Sequence, residues 1–170
     1  MRDLVPVLKR HGVAALLEHR VLDLPLLFHY GRSDLSVDYY GASVTPDSVR
    51  EFVYGDAGLA RDVSTYRVVS YEDRASDKQL LFALEMNPDV GEDAYDEGDV
   101  QTGLLDHLWR VNRDFANAYK DAPASNRPTV RLYPAGTGLF AEASQKLKNE
   151  YVWHLDADAA AEHGLLPARG

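Results

Sequence analysis

Residues 64–72 read STYRVVSYE and residues 78–86 read KQLLFALEM, and these two stretches decide the fold. Both are rich in β-branched, aromatic or aliphatic side chains, which are enriched in strands. The link between them, residues 73–77, is polar apart from one alanine and is short enough to connect neighbouring strands. The pattern therefore predicts an antiparallel pair of strands.

After this pair, the sequence predicts a loop, a helix, a strand and a second helix. Residues 88–99 carry six acidic side chains and no basic one, a composition that indicates a mobile surface loop. Apolar residues recur every three or four positions in residues 99–119, which predicts one long helix. Residues 129–133 alternate like a strand between two prolines, and residues 139–147 fit a short helix.

The chain before the pair also alternates between helix and strand. An apolar stripe in residues 3–19 predicts a helix. Residues 25–30 form an apolar and aromatic run that suits a buried strand, and residues 31–34 (GRSD) form a turn. Residues 35–40 then predict a second strand, which is closed by Gly41.

A further helix is predicted to begin after this strand. Thr45 suits the N-cap, Pro46 suits the first helical position, and Val49, Phe52 and Val53 supply an apolar face. The complete order of elements mixes helices with paired strands and does not repeat a βαβ unit. It therefore predicts an α+β domain in which a small mixed or antiparallel sheet is covered by helices.

Composition limits the classes of function. The 170 residues include 18 Lys and Arg against 27 Asp and Glu, and the net charge of −9 disfavours binding to nucleic acid. The chain has no cysteine, which excludes disulfides and thiolate metal sites, and its six histidines show no metal-ligand spacing. Charged residues interrupt the first twenty positions, so we expect no signal peptide, no membrane span and a cytoplasmic protein.

One glycine motif is typical of nucleotide-binding proteins but lacks their context. Gly136, Gly138 and Ala141 give the pattern G-x-G-x-x-A after a predicted strand. The dinucleotide-binding fingerprint opens a βαβ unit, and too little chain follows this motif to complete one. We therefore interpret the motif as a tight turn between a strand and a helix.

A longer pattern begins at residue 28, with FHYGRSD at 28–34, VDYYGASVTP at 37–46 and then Val49-Arg50. In order and spacing it resembles the hinge and the start of the small C-terminal domain of adenylate-forming enzymes, particularly the phenylacetate-CoA ligase-like branch. In that family a G-R-S-D turn joins the large and small domains. A strand then leads to a glycine loop, and a helix that starts with proline follows.

Shorter motifs extend the resemblance over residues 24 to about 155. The family has a helix ending near an asparagine, a strand before a proline-glycine turn, and a lysine just before an aromatic residue. The corresponding residues here are Asn112, the strand 130–133 with Pro134-Ala135-Gly136 after it, and Lys148 before Tyr151. The resemblance implies that residues 1–30 are an N-terminal helical segment and strand left from a large adenylation domain. It also implies that residues 31–34 are a hinge and residues 35–170 a small C-terminal α+β domain.

The resemblance implies ATP-dependent activation of a carboxylate as an acyl-adenylate, followed by transfer of the acyl group to CoA, an amine or a carrier thiol. It makes Lys148 the catalytic lysine, with Lys146 as the competing candidate. Asp34 is implied as the hinge residue, Arg32 as a contact to the nucleotide, and Gly41 as part of the acceptor-side loop. ATP with magnesium is the implied cofactor of the complete enzyme, and no dedicated metal site is expected in this chain.

The chain departs from the family because it has no phosphate-binding loop and no ribose-binding Y-R-T-G-D-like segment. We therefore expect it to be inactive alone, to bind no nucleotide tightly, and to act with a large N-terminal adenylation domain on the same or another chain. CoA or a carrier protein is a further expected partner. The alternative is a stand-alone, non-catalytic binding or regulatory module. In either case the apolar face of residues 1–23 predicts a homodimer contact.

Overall fold

A computed structural model describes residues 35–75, 77–141 and 151–166. The chain divides into two units, Met1–Gly31 and Arg32–Gly170, and the described residues all belong to the second. The helix predicted at 3–19 and the strand predicted at 25–30 lie outside the described residues, as does the turn at 31–34.

The described chain begins with a β-hairpin in which β1 (Val37–Tyr39) pairs with β2 (Ala42–Val44). The single strand predicted at residues 35–40 is therefore too long, and a second short strand follows it. The chain reverses because Tyr40 and Gly41 have φ values of 49° and 82°. Positive φ at both central residues is the arrangement of a type I′ turn, which matches the twist of the strands that it joins.

Two helices follow the hairpin, α1 (Pro46–Gly55) and α2 (Ala57–Asp62). The predicted start of α1 is confirmed, since Thr45 is the N-cap and Pro46 the first helical residue. The short helix α2 was not expected from the sequence. Its N-cap is Asp56, whose carboxylate accepts hydrogen bonds from two backbone N–H groups of the first turn, at 2.8 and 2.9 Å.

The predicted strand pair is confirmed as β3 (Val63–Glu72) and β4 (Lys78–Met86), which are antiparallel with Val69 opposite Leu81. Asp73 shapes the connection because its carboxylate accepts two backbone hydrogen bonds, each of 2.9 Å. Side chains of the middle of both strands are buried on both faces of the sheet.

Two edge strands complete a four-stranded mixed sheet in the order β5-β4-β3-β6. The predicted strand β5 (Thr129–Tyr133) is confirmed and runs parallel to β4. The strand β6 (Val152–Leu155), which the sequence analysis did not identify, runs parallel to β3. The described residues thus form an α+β fold with a small mixed sheet, in agreement with the predicted class.

The prediction of one long helix at residues 99–119 is wrong, because the structure has two helices in this region. These are α3 (Glu97–Val111) and α4 (Arg113–Asp121). The break is at Asn112, whose backbone is extended (φ −126°, ψ 99°) and whose side chain caps α4. The turns before α3 are exposed at most positions, but the predicted surface loop at 88–99 ends earlier than expected, since α3 starts at Glu97.

Short elements complete the described chain: 3₁₀ turns at Ala124–Asn126 and Gly138–Phe140, and the helix α5 (Ala157–Glu162). The helix predicted at residues 139–147 starts as the second of these 3₁₀ turns, and residues 142–150 lie outside the described residues. Gly138 has φ 52°, and a Cβ atom on it would lie 2.5 Å from the ring of Tyr133. This glycine therefore permits a tight turn, as predicted.

Helices and turns pack on both faces of the sheet. The hairpin with α1, α3 and α4 covers one face, with a core that includes Val49, Val53, Val68, Phe82, Leu84, Leu104, Leu108 and Phe115. The second 3₁₀ turn and α5 pack on the other face, with Val69, Leu81, Ala83, Leu139, Phe140 and Ala160. Within the described part of the chain, no helix is long and apolar enough to cross a membrane.

Candidate functional site

Gly41 is the one sequence-predicted site residue that the structure describes. The implied catalytic lysine Lys148, its competitor Lys146, the hinge residue Asp34 and the nucleotide contact Arg32 lie outside the described residues. The candidate site is therefore built from the β1–β2 hairpin around Gly41.

The turn of this hairpin leaves its backbone open. Gly41 is exposed, and a Cβ atom placed on it would meet no other atom within 4 Å. Glycine is favoured here because φ is 82°, where side-chain-bearing residues are strained. The free space above the turn allows another molecule or domain to approach the main chain directly.

The hairpin is held from beneath by the junction between α3 and α4. The side-chain amide of Asn112 donates a 2.9 Å hydrogen bond to the carbonyl oxygen of Ser43 in β2. The Asn112 Oδ1 atom accepts a 3.0 Å hydrogen bond from the backbone N–H of Phe115. The ring of Phe115 in turn packs 5.5 Å from that of Tyr39 in β1. One asparagine therefore connects the hairpin to the start of a helix.

The hydroxyl of Tyr39 is buried and has no hydrogen-bond partner in the described part of the chain. Burial, together with the neighbouring Tyr40 and Tyr119, raises the pKa of Tyr39 to about 12. The hydroxyl therefore stays protonated near neutral pH. It can donate a hydrogen bond, but it cannot serve as a general base.

Aromatic rings and cations lie together on the surface beside this hairpin. Trp109 is 40% exposed and packs edge-on against Tyr119, with 5.9 Å between ring centroids. The ammonium of Lys120 lies 5.0 Å from the Trp109 ring, and the guanidinium of Arg127 lies 5.0 Å from the Tyr119 ring. We call these four residues the aromatic–cation patch. Exposed rings and positive charge suit contact with an aromatic or anionic group.

A groove of about 160 Å³ lies between the turn of the hairpin and the start of β4. Its charged side chains are Asp38 and Lys78, and Tyr40 contributes a half-exposed ring. Among the residues that the structure describes, no group of three or more histidine, aspartate or glutamate side chains is placed to hold a metal ion. The chemistry that the hairpin offers is therefore an accessible main chain with aromatic and charged side chains nearby.

A buried arginine on the opposite face of the sheet was missed by the sequence analysis. Arg67 in β3 is 6% exposed, and its guanidinium donates a hydrogen bond to the carbonyl of Leu139. The same guanidinium lies 4.0 Å from the Trp153 ring and 4.7 Å from the Phe140 ring. A charged residue between Tyr66 and Val68 in the middle of a predicted strand was the available signal. Arg67 connects the second 3₁₀ turn to β6.

The glycine motif after β5 provides no phosphate site in the described chain. The backbone N–H of Gly136 donates a 2.7 Å hydrogen bond to the carboxylate of Glu85, which would repel a phosphate there. The element that follows is a three-residue 3₁₀ turn rather than a helix with a free N-terminus.

No family model and no curated protein matches the sequence of this chain. The geometry around the hairpin is therefore the basis for a functional argument.

Proposed function

We propose that this chain is the small C-terminal domain of an acyl-adenylate-forming ligase of the phenylacetate-CoA ligase-like kind. It would act with a large adenylation domain, on the same chain or another, that binds the carboxylic acid and ATP with magnesium. The chain alone is expected to be inactive, because the phosphate-binding and ribose-binding segments belong to the large domain.

The observation that carries this proposal is the contact between Asn112 and the hairpin. The resemblance to the family rests on separated motifs, and two of them are the glycine loop around Gly41 and the asparagine near a helix end. In the folded chain Asn112 donates its 2.9 Å hydrogen bond to Ser43, two residues after Gly41. The order of hairpin, proline-started helix, strand pair, interrupted helix and strand also agrees with the order that the family implies.

The chemistry assigns different parts of this chain to two half-reactions. In the first, a carboxylate oxygen attacks the α-phosphorus of ATP, an O–P bond forms, and the bond to the bridging oxygen breaks as pyrophosphate leaves. Lys148, or Lys146 in its place, would neutralise the negative charge that develops there. In the second, the sulfur of a thiol or the nitrogen of an amine bonds to the acyl carbon and loses its proton, and the bond from that carbon to the phosphate oxygen breaks as AMP leaves. Rotation about Asp34 would bring the open turn at Gly41 towards that acceptor.

A domain exchange tests the proposal. The hinge and small domain of a phenylacetate-CoA ligase-like enzyme are replaced by residues 31–170 of this chain, and ATP–pyrophosphate exchange and acyl-CoA formation are measured. We expect both activities to return relative to the isolated large domain. The unmodified 170-residue chain should show no exchange with any carboxylic acid. A folded hybrid that is no more active than the isolated large domain would argue against the proposal.

Variants of the hybrid separate the two half-reactions. Lys148→Ala should reduce adenylate formation much more than transfer from preformed acyl-adenylate, and Gly41→Val should do the reverse. Lys146→Ala is the matched control, and a larger loss for this variant would move the catalytic role to Lys146. Equal losses in both half-reactions for Lys148→Ala would contradict its assignment.

The aromatic–cation patch favours a second candidate function, a non-catalytic binding or regulatory module. Aromatic side chains and arginine are enriched where proteins contact partners, and the patch contains Trp109, Tyr119 and Arg127. In that case the hybrid should be no more active than the isolated large domain, and Trp109→Ala should weaken binding of the partner. Activity of the hybrid therefore discriminates the two functions.

A further inference from the structure

A second cavity lies at the other end of the sheet from the groove of the hairpin. It has a volume of about 230 Å³, and most of its wall is apolar or aromatic, from Met86, Val90, Leu132 and Tyr133. Glu92 is the one charged side chain among the described residues that line it. Small-molecule sites in proteins are lined mainly by apolar and aromatic side chains with a small number of polar groups.

The sheet topology brings the walls of this cavity together. Met86 is the last residue of β4 and Tyr133 is the last residue of β5, and these neighbouring strands run parallel. The cavity therefore lies at the carboxyl ends of two parallel strands. Crevices at this position are common ligand sites in α/β proteins, because the loops that leave the strands diverge there.

The acidic segment that carries Val90 and Glu92 is anchored at both ends. At one end, the backbone N–H and side-chain amide of Asn87 donate 2.7 Å hydrogen bonds to the carbonyl oxygens of Asp62 and Arg61. At the other end, the hydroxyl of Tyr95 donates a 2.8 Å hydrogen bond to the Asp62 carboxylate. These hydrogen bonds hold the segment that forms this wall of the cavity without any ligand.

The charge around the cavity favours a cation. Residues 88–99 contain six carboxylates and no basic side chain. Arg61 lies beside this segment, and its guanidinium makes hydrogen bonds of 2.6 and 2.8 Å with the Asp62 carboxylate, which balances its charge. Arg131 lies near Tyr133, and its guanidinium donates a hydrogen bond to the carbonyl oxygen of Gly164. An anion in the cavity would meet the carboxylate of Glu92.

We propose that this cavity binds a small organic ammonium, with the apolar body of the ligand against Met86 and Leu132 and its charged nitrogen at Glu92. The volume of about 230 Å³ equals that of roughly seven or eight water molecules at about 30 Å³ each, so it suits a single ring with a short substituent. This site is independent of the acyl-adenylate chemistry, and either proposal can fail without the other.

Three probes of matched shape test the site: benzylammonium, benzyl alcohol and benzoate. Each is titrated into the full chain while backbone amide NMR signals of Gly91, Glu92 and Leu132 are followed. We expect benzylammonium to bind about three- to fivefold more tightly than benzyl alcohol, the gain expected for one partly exposed charge pair. Benzoate should be the weakest, and about 0.5 M salt should remove the advantage of the ammonium.

Two variants connect this preference to the cavity. Glu92→Gln should lower the affinity for benzylammonium to that for benzyl alcohol, while Glu72→Gln, the same change at the opposite end of the β3–β4 pair, should have no effect. Val90→Phe should fill the cavity and weaken binding of both probes. The proposal is overturned if benzoate binds as tightly as benzylammonium, or if Glu92→Gln leaves the preference for the ammonium unchanged.

Discussion

Glycine is favoured at position 41 by its backbone conformation and not by a lack of space for a side chain. Its φ is 82°, yet a Cβ atom would touch nothing within 4 Å. A valine there should lower the free energy of unfolding by about 1–2 kcal/mol, because a β-branched residue is strained in this region. Asparagine tolerates positive φ, so Gly41→Asn is the matched control. Urea unfolding compares the two, and equal stability of the valine and asparagine variants would contradict this account.

The lowered pKa of Asp62 should make the stability of the domain depend on pH in the acidic range. Its hydrogen bonds from Arg61 and then from Tyr95 lower its pKa from 3.8 to about 2. A carboxyl with a lower pKa in the folded state stabilises that state above its unfolded pKa, and the contribution is lost as the pH falls towards 2. Asp62→Asn should therefore be less stable than the wild type at pH 6 and should approach it at low pH.

Urea midpoints between about pH 2 and 6 measure this difference. Tyr95→Phe removes one of the two side chains that donate hydrogen bonds to Asp62, so the pKa of Asp62 in the folded state should rise. The pH-dependent part of the stability should then be smaller than in the wild type and should level off at a higher pH. A constant difference between the wild type and Asp62→Asn over the whole range would show that Asp62 does not titrate as described.

At the scale of single residues, the sequence analysis succeeded where conformation is local. The end of a strand before Gly41 and the N-cap at Thr45 follow from properties of the residues themselves, whereas the second strand of the hairpin was not predicted. Arg67 was missed because its two ring contacts come from Phe140 and Trp153, which are distant in sequence.

Asn112 shapes the elements on both sides of it. Asn112→Ala removes the cap of α4, which contributes about 1 kcal/mol, and the hydrogen bond to Ser43, which contributes a similar amount. Asn112→Asp keeps the acceptor for the Phe115 N–H but loses the donor to Ser43. We therefore expect the alanine variant to lose about 2 kcal/mol in urea unfolding and the aspartate variant about half of that.

Amide hydrogen exchange in β2 provides the second measurement for this pair. Exchange should accelerate in both variants, since both lose the hydrogen bond that holds the hairpin to the helix junction. Wild-type stability of Asn112→Asp would show that the bond to Ser43 contributes nothing.

The elements themselves were predictable to different degrees. The strands β3, β4 and β5 have alternating or continuous apolar side chains, and the sequence analysis found all three. The break between α3 and α4 was missed because Leu104, Leu108 and Phe115 keep a helical spacing across it. Asn112 was the available signal, since asparagine is a poor helix-interior residue and a good N-cap. Strand β6 is short and follows directly after the lysine motif, and the sequence analysis assigned no element to its residues.

At the scale of the whole molecule, the two function proposals differ in what the N-terminal residues do. The apolar stripe of residues 3–19 includes Leu4, Leu8, Leu16 and Leu17. If it belongs to a large domain, deletion of residues 1–23 should leave the rest folded and more monomeric. Circular dichroism and light scattering measure both properties. Loss of the fold on deletion would make residues 1–23 part of the core of this domain and would favour the stand-alone module.

The order of the strands in the mixed sheet could not be predicted from the sequence. The fold class followed from the alternation of helices and strands, and the antiparallel pair from its short link. The partners of β5 and β6 are set by contacts between residues far apart in the chain, such as Val68 with Val152. Local propensity contains no information about such pairs, so the class could be predicted and the strand order could not.

The position of β6 has a consequence for how the domain folds. The pair β3–β4 joins neighbouring segments, whereas β6 reaches β3 only after the chain has passed through every other element of the sheet. Closing such a long loop costs entropy before its contacts can form, so we expect this edge to be added late. The segment that returns with β6 also includes the implied catalytic lysines. The segment that is expected to fold last therefore contains the lysines that are proposed to act in adenylate formation.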